Sequence, residues 1–430
     1  MRGALWLLAL FGIAAAVALF AGNNQSTITV FWPPYRVDLA LNLVLLLLFG
    51  TFMVLHLALR ALAALFAMPD QARRWRLQHK ERLMHVALLD AVSHLVAGRF
   101  IRSRKAAEQV AQQQEFLERG GEQLHYGARL RAISQLLAAE GAHALQDRGA
   151  REEHLRKALD SSSARNESPE TREGVQLRAA HWALADRDAA VALRWLDELP
   201  HGAARRTVAL RLRLKAARMA GQTLQALETA RLLAKHRAFS ESAARGVLRS
   251  LAVELVGAAH DPGQLQASWS RLDAAEREVP EVAVAAARRL LGVGGDVELS
   301  RRWLLPVWER MVAGPGMSEL QRVSLVQALE SGFALPAGAP DAAWLTRIET
   351  AQLTHPSDAL LQYLAGLTCM HLQLWGKAQQ LLRQSLSRLQ DGELQRNAWR
   401  ALAELAQQRG EVELAAQAWR NAALRTHTGV

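Results

Sequence analysis

The first place in this sequence where metal or haem chemistry suggests itself is the run Thr368-Cys369-Met370-His371. A thiolate and an imidazole are both good ligands for transition metals. Two residues apart on a helix, however, their side chains point in quite different directions, so a joint site is not expected. Met370 follows Cys369, so there is no Cys-Pro haem-sensing pair. Cys369 falls instead where the first helix of a repeat places small apolar core residues. His85, His94, His125, His143, His154 and His181 are scattered, and nothing marks one of them as an axial haem ligand. Glu152-Glu153 is the sort of carboxylate pair that acid–base catalysis uses, but it lies in a charged helix face where solvent exposure is the ordinary explanation.

Other chemistry is missing as pattern. The chain has no G-x-x-x-x-G-K-[ST] loop and no G-x-G-x-x-G, and "GVGGD" at 292–296 is too short to cradle a phosphate. It has no H-E-x-x-H. With Cys369 as the single cysteine, no intrachain disulfide, no cysteine-based zinc site and no C-x-x-C-H haem attachment can form. No catalytic or metal-ligating set is therefore expected, and a non-enzymatic role is favoured.

The elements that would position any site begin with two greasy runs. Residues 3–22 and 39–59 carry no charge. Each is about 20 residues, which at ~1.5 Å per residue matches a hydrocarbon core of ~30 Å. A membrane hairpin over 1–68 is expected, with spans at about 3–22 and 39–59 and a short periplasmic loop at 23–38. A cleaved signal peptide competes for the first run, since Arg2 precedes it and Ala16-Val17-Ala18 fits a small-x-small cleavage pattern. The uncleaved span is favoured, because the apolar run continues through Leu19, Phe20 and Ala21. Within the loop, Ile28, Val30 and Trp32, then Tyr35, Val37 and Leu39, alternate on either side of Pro33-Pro34. That reads either as strand–turn–strand or as an irregular link between spans.

A basic juxtamembrane segment, 69–82, follows. Arg73, Arg74, Trp75, Arg76, Lys80 and Arg82 are candidates for contact with anionic lipid heads, at ~1 kcal/mol per cation. A nucleic-acid patch is the weaker reading of the same run, and no nucleic-acid partner is expected. Positive residues remain on the cytoplasmic side, so the remainder is expected to be cytoplasmic, and the absence of paired cysteines agrees with a reducing compartment. The formal charge is +11; the first seventy residues carry +1, leaving about +10 (11 − 1) beyond them. A basic body suits a membrane surface, a nucleic acid or an acidic partner, and charge alone does not choose.

From 83 to 430 the apolar spacing is helical, and a repeat frame is visible. Trp399, Leu402, Ala403 and Ala406, then Gly410, then Ala415, Trp419 and Ala422 follow the tetratricopeptide pattern. Small residues at 403 and 415 let two antiparallel helices approach, and Trp399 and Trp419 fill the space at either end. Gly366, Ala378, Leu382 and Ser385 repeat the frame, with Trp375-Gly376 at the turn. Ala180, Ala192 and Leu196 give another unit, and Ala217, Gly221, Ala226 and Ala230 another. Further pairs are expected to turn at Gly98 and near Gln146. Between 240 and 345 the frame is degenerate, and the prolines, Pro306 included, are expected mainly at helix ends. Seven to nine pairs would fit. The fold class is all-α: a transmembrane helical hairpin followed by a tetratricopeptide-like α-solenoid.

The layout resembles the proteobacterial HemY family, a haem-biosynthesis-associated inner-membrane protein. "STITVFWPPYRVDLALNLVLLLL", "HLVAGRFIRSRKAAEQ", "LLAAEGAHALQDRGAREEHLRKAL" and "ALLQYLAGLTCMHLQLWGKAQQLLRQSL" carry the resemblance. It implies a bacterial inner-membrane location and a role in late protohaem synthesis. The expected function is a membrane-anchored scaffold binding late haem-pathway enzymes by protein–protein interaction. A haem or porphyrin carrier or regulator, and a general envelope assembly factor, are the alternatives.

Overall fold

The structure is a computed structural model that describes residues 26–120, 124, 126–162, 169–314, 316–335 and 340–424, together with 11–14, 17–18 and 22. Most of the expected first span, 3–22, lies outside the described residues; 11–14, 17–18 and 22 within it are helical. The alternation around Pro33-Pro34 forms a β-hairpin. Strands β1 (Thr27–Trp32) and β2 (Tyr35–Ala40) pair antiparallel, with Trp32 opposite Tyr35 and Thr29 opposite Asp38. Thr29 Oγ1 donates to Asp38 at 2.5 Å, and the Arg36 guanidinium lies 5.5 Å from the centre of the Phe31 ring. Among the described residues the fold is therefore helical apart from this hairpin.

Ala40 leads directly into α1 (Leu41–Val96), 56 residues long. Its first part, Leu41–Ala63, is long and apolar enough to cross a membrane, and none of it is buried inside the protein. It is the one such helix among the described residues. The second expected span, 39–59, thus begins inside β2 and stops before the apolar stretch ends at Ala63. The basic segment 69–82 does not separate an anchor from a repeat domain starting at 83. One helix runs through both, because Gln, Arg, Lys, Leu and Met favour helix. Pro69 is the exception, and α1 forgoes one backbone hydrogen bond there.

The chain forms two compact units, Met1–Glu167 and Ser168–Val430. In the first, the C-terminal half of α1 packs on α2 (Phe100–Arg119), and α3 (Gly127–Ala144) packs on both α2 and α4 (Arg148–Ser161). Met84, Ala91, Ala107, Val110 and Ala138 are wholly or almost wholly buried there. A Cβ on Gly141 would meet the Phe100 carbonyl oxygen at 3.2 Å, so α3 needs a glycine to approach α2 so closely.

The second unit stacks antiparallel pairs: α5 (Pro169–Ala185) with α6 (Ala189–Asp197), and, after the short α7 (His201–Ala204), α8 (Thr207–Met219) with α9 (Thr223–Lys235). Next come α10 (Glu241–Gly257) with α11 (Pro262–Ser270), the short α12 (Ala274–Arg277), and α13 (Pro280–Gly292) with α14 (Val297–Ala313). Then follow α15 (Glu319–Phe333), α16 (Ala342–Thr354), α17 (Ala359–His371) with α18 (Trp375–Leu386), and α19 (Gly392–Gln408) with α20 (Val412–Leu424). Where the sequence frame is degenerate, tryptophans carry the packing. Trp269 stacks on Trp303 with ring centres 4.5 Å apart, and Trp308 meets Trp344 edge-on at 5.7 Å.

Two expectations are corrected. Pro306 sits inside α14 rather than at a helix end. It lies on the exposed face, where water can satisfy the carbonyl it leaves without a donor, while Trp303, Leu304, Val307 and Trp308 pack on the other side. Trp419 is 37% exposed rather than filling an interhelix space, because no further described helix covers α20. Trp399 is partly buried against the core, and Leu402, Ala403, Ala415 and Ala422 are buried.

One turn recurs between paired helices. Gly98, Gln146, Arg187, Gly221, Gly294, Gln373 and Gly410 all have left-handed φ, from 58° to 76°. At each, the next residue's N–H reaches back to a carbonyl of the helix just ended, as from Asp188 to Ala183 at 2.8 Å and from Glu411 to Ala406 at 2.9 Å. This is the Schellman closure, which satisfies the last carbonyls of the first helix. Only four of the seven are glycine, so the signal is half hidden in the sequence. A side chain in this region costs ~1–2 kcal/mol, partly offset by the entropy glycine would lose. Arg187→Gly should therefore stabilise the second unit by about 0.5–1 kcal/mol. A melting temperature equal to or below the parent's would count against it.

Candidate binding groove

Helices α13, α15, α17 and α19, the successive inner layer of the second unit, pack side by side. Short polar side chains start the last three. Ser318 caps α15 and Gln321 completes its capping box; Asp358 caps α17, accepting from Leu360 N at 3.0 Å; Asp391 caps α19, accepting from Leu394 N at 2.9 Å. The same ends tie neighbours together. Arg322 pairs with Asp358, and Gln327 Nε2 donates to Glu393 at 3.0 Å, while Arg288 Nη2 donates to Gln327 Oε1 at 2.8 Å.

Between α15, α17 and α19 lies a cavity of about 470 Å³. Its floor is acidic. Tyr363, fully buried, donates its hydroxyl to Glu330 Oε1 at 2.7 Å, and Asn397 is a second hydrogen-bond partner of the Glu330 carboxylate. Burial pushes the Glu330 carboxyl above the ordinary range, and these two hydrogen bonds and, more weakly, the Arg400 charge offset only part of that rise. The Tyr363 phenol is pushed up by burial and by the neighbouring carboxylate, so it stays a donor. The cavity's other end is lined by Leu367, Met370 and Trp375. At its rim are Arg400 and Glu404, both exposed and four residues apart on α19.

His371 also borders this cavity, its ring edge-on to Phe333 with centres 6.3 Å apart. Desolvation and then the Arg301 charge lower its pKa, so the ring is neutral at pH 7. Cys369 faces the other way, buried in the core with its thiol pushed up by burial. The two do not converge, as their spacing predicts. Among the other histidines, His143 Nδ1 lies 3.2 Å from Arg151, and His154 Nδ1 lies 2.7 Å from Gln135 Oε1. Glu153 pairs with Lys157 at 2.6 Å on an exposed face. Among the described residues no group of three or more His, Cys, Asp or Glu side chains could hold a metal ion.

The expected packing residues sit at the helix contact. A Cβ on Gly366 would lie 2.8 Å from Leu382 Cγ, and Ala378, Leu382 and Ser385 are fully buried. Of the expected lipid-contact residues, Trp75 is 66% exposed and stacks on His79, and Arg76 Nε donates to the Ala72 carbonyl at 3.2 Å. Arg82 is exposed, whereas Lys80 turns inward, its ammonium 5.4 Å from the centre of the Phe116 ring of α2. The side chains of Arg73 and Arg74 lie outside the described residues.

Sequence reading missed Glu330, Tyr363, Asn397 and Arg400. The first three occupy matching places in successive repeats, about one repeat length of ~34 residues apart. That register was the available signal, but it could not be drawn through the degenerate stretch that ends at α15.

Residues 26–146 match the family described as HemY protein N-terminus, so the HemY resemblance holds over that stretch. No curated protein sequence matches the chain. Among solved structures the chain is similar to the APC/C hetero-tetramer Cut9-Hcn1, at 13% identity over 84% of this chain and 78% of that chain, TM-score 0.28. It is similar to Naa15/Naa10 bound to HypK-THB, at 13% identity over 81% and 66%, TM-score 0.25. The P58(IPK) TPR domain matches at 13% identity over 76% and 99%, TM-score 0.22. At such TM-scores no functional argument rests on these likenesses.

Proposed function

We propose that the chain is a membrane-anchored helical-repeat scaffold that acts in a late step of protohaem synthesis and holds haem-pathway enzymes at the bacterial inner membrane. The observation that carries this reading is the continuity of α1. An apolar stretch with no protein cover, Leu41–Ala63, passes without a break into residues that pack the first repeat pair. Its 23 residues extend ~35 Å at ~1.5 Å each, enough for a hydrocarbon core of ~30 Å. The HemY match over 26–146 supports the haem assignment. The groove on the inner helices offers a binding surface, and tethering raises the effective concentration of whatever it holds without any catalytic group.

Two spans with the repeats on the cytoplasmic side remain part of the proposal. Ile13 and Val17 border the same apolar cleft as Leu45, Leu48 and Phe52, which supports a hairpin. The cations at Arg60 and from 73 to 82 lie on the repeat side, whereas Arg36 is offset by Asp38, 3.5 Å away. Lipid-head contact falls to Arg73, Arg74, Trp75 and Arg76. Lys80 is engaged with Phe116, and Arg82, ~28 Å along the helix past Ala63, is the farthest of the set from the apolar stretch.

Arginine at the centre of a span costs ~2.5–3.5 kcal/mol. Leu48→Arg combined with Phe52→Arg should therefore move much of the protein into the supernatant on alkaline carbonate extraction, while the parent pellets. A parent that is itself soluble would end the anchor reading. Crosslinking in intact membranes tests the scaffold reading. Recovery of a porphyrin-pathway enzyme is expected, and recovery of secretion or cell-wall proteins instead would redirect the chain to envelope assembly.

A further inference from the structure

Glu330 is a carboxylate placed as if a cation were to be added. It is half-buried at the floor of the α15–α17–α19 cavity, on top of a fully buried tyrosine. Its two partners, Tyr363 and Asn397, are neutral hydrogen-bond donors. Among the described residues no Lys, Arg or His makes a salt bridge with it. Among these, Arg400 is the one cation that acts on it, from the rim and more weakly than Glu393 opposes it. A half-buried carboxylate with dipoles but no directly paired cation is held at an electrostatic disadvantage, which a cation arriving from outside would relieve.

The rest of the lining points the same way. Arg400 and Glu404 are opposite charges at the solvent-exposed rim, where water screens both, and the influence of Arg400 on Glu330 is smaller than that of Glu393. His371 is neutral at pH 7, because burial and Arg301 both oppose its protonation. Glu393 adds a second negative charge that acts on Glu330. Charges interact more strongly at the low-dielectric floor than at the rim, and Glu330 is the charge at the floor. Beside the floor, Leu367, Met370 and Trp375 offer partly exposed apolar surface. A long cationic side chain has this same division, an apolar stem and a charged head.

We propose that this cavity takes a lysine or arginine side chain of a partner segment, its charged head against Glu330 and its stem and apolar neighbours on Met370 and Trp375. This rests on the scaffold reading and names the chemistry of the partner at that groove. It makes the groove selective for a basic, amphipathic stretch, and Arg400 sets a limit on affinity by repelling the same head.

The test uses the full-length protein in nanodiscs and three synthetic peptides: acetyl-Leu-Arg-Leu-amide, its citrulline counterpart, which keeps shape and loses charge, and acetyl-Leu-Glu-Leu-amide. Dissociation constants come from saturation-transfer NMR. The arginine peptide should bind at least ~10-fold more tightly than the citrulline peptide, and Glu330→Gln should remove that difference. Arg400→Gln should tighten the arginine peptide about two- to fivefold. Binding should weaken as pH falls from 7 to 5 in the parent, as Glu330 takes up a proton, and should lose that dependence in Glu330→Gln. Glu330→Gln should leave the melting temperature unchanged or raise it by about 1–3 °C, because it removes a charge that folding has desolvated.

Equal binding of arginine and citrulline peptides, preference for the glutamate peptide, or a drop of more than about 5 °C in Glu330→Gln would each overturn the proposal, the last by making Glu330 a structural residue. The scaffold reading stands or falls separately. Partners crosslinked in membranes by a protein whose groove fails to discriminate the peptides would leave the scaffold and remove the cation pocket. A discriminating groove in a protein that crosslinks to nothing would do the reverse.

Discussion

Gly366→Val should destabilise the C-terminal repeats by about 3 kcal/mol. Helices α17 and α18 meet at this glycine. A Cβ there would stand 2.8 Å from Leu382 Cγ, 2.9 Å from its Cδ2 and 3.3 Å from its backbone nitrogen. Leu382 is fully buried, so its side chain has little space to yield, and the nitrogen belongs to a packed helix. Overpacking of this sort costs ~1–3 kcal/mol, and a β-branched side chain adds strain in a helix. Gly366→Ala meets the same contact but gains ~1 kcal/mol of helix propensity, so it should lose much less. Local hydrogen exchange in α17 and α18 is the suitable measurement, since a repeat array need not unfold in one step. Leu382→Ala should partly rescue Gly366→Val, giving a sub-additive double mutant. A valine variant with parental exchange would show that the helices can part at no cost.

Arg231→Ala should cost about 3 kcal/mol by a different mechanism. Arg231 on α9 reaches across to the turn before α13 and holds Glu276 with two hydrogen bonds, at 2.9 and 2.5 Å, while its Nη2 also donates to the Arg271 carbonyl at 3.0 Å. Glu276 is 8% exposed and accepts from the Asp273 backbone N–H at 2.9 Å, closing the cap of α12. Removing the guanidinium would leave a buried carboxylate without a cation, the situation that makes broken buried pairs so damaging. Arg231→Lys should recover only part of the loss, because an ammonium cannot bond both oxygens and a carbonyl in that geometry. The double variant Arg231→Met with Glu276→Gln should be less destabilised than Arg231→Ala alone. If Arg231→Ala melts within a degree of the parent, the pair contributes nothing and the turn is held by apolar contacts.

The two cases show what was legible beforehand. Gly366 and Ala378 belong to a visible frame, because helices can approach closely only where side chains are small, and that requirement leaves its mark at fixed spacing. Arg231 and Glu276 leave no such mark. Each is an ordinary charged residue in its own segment, and their partnership crosses a helix pair. Turn geometry stands between these extremes: Gly98, Gly221 and Gly410 announce the left-handed turn, whereas Arg187 and Gln373 adopt it because the helices on either side impose it.

By itself the sequence left the stretch around Pro33-Pro34 open between a strand pair and an irregular link, and it determined the apolar run that becomes the exposed half of α1 and the small-residue contacts of the strongest repeats. Each of these is written in neighbouring residues, through hydropathy and period. The cavity was decided only by tertiary structure. Glu330, Tyr363 and Asn397 lie on three helices, and it is chiefly burial that pushes the carboxyl of a common glutamate above the ordinary range. The unbroken passage of α1 through the basic segment was decided there too. The charges that suggested a boundary are good helix formers, and packing on α2 holds the helix beyond them.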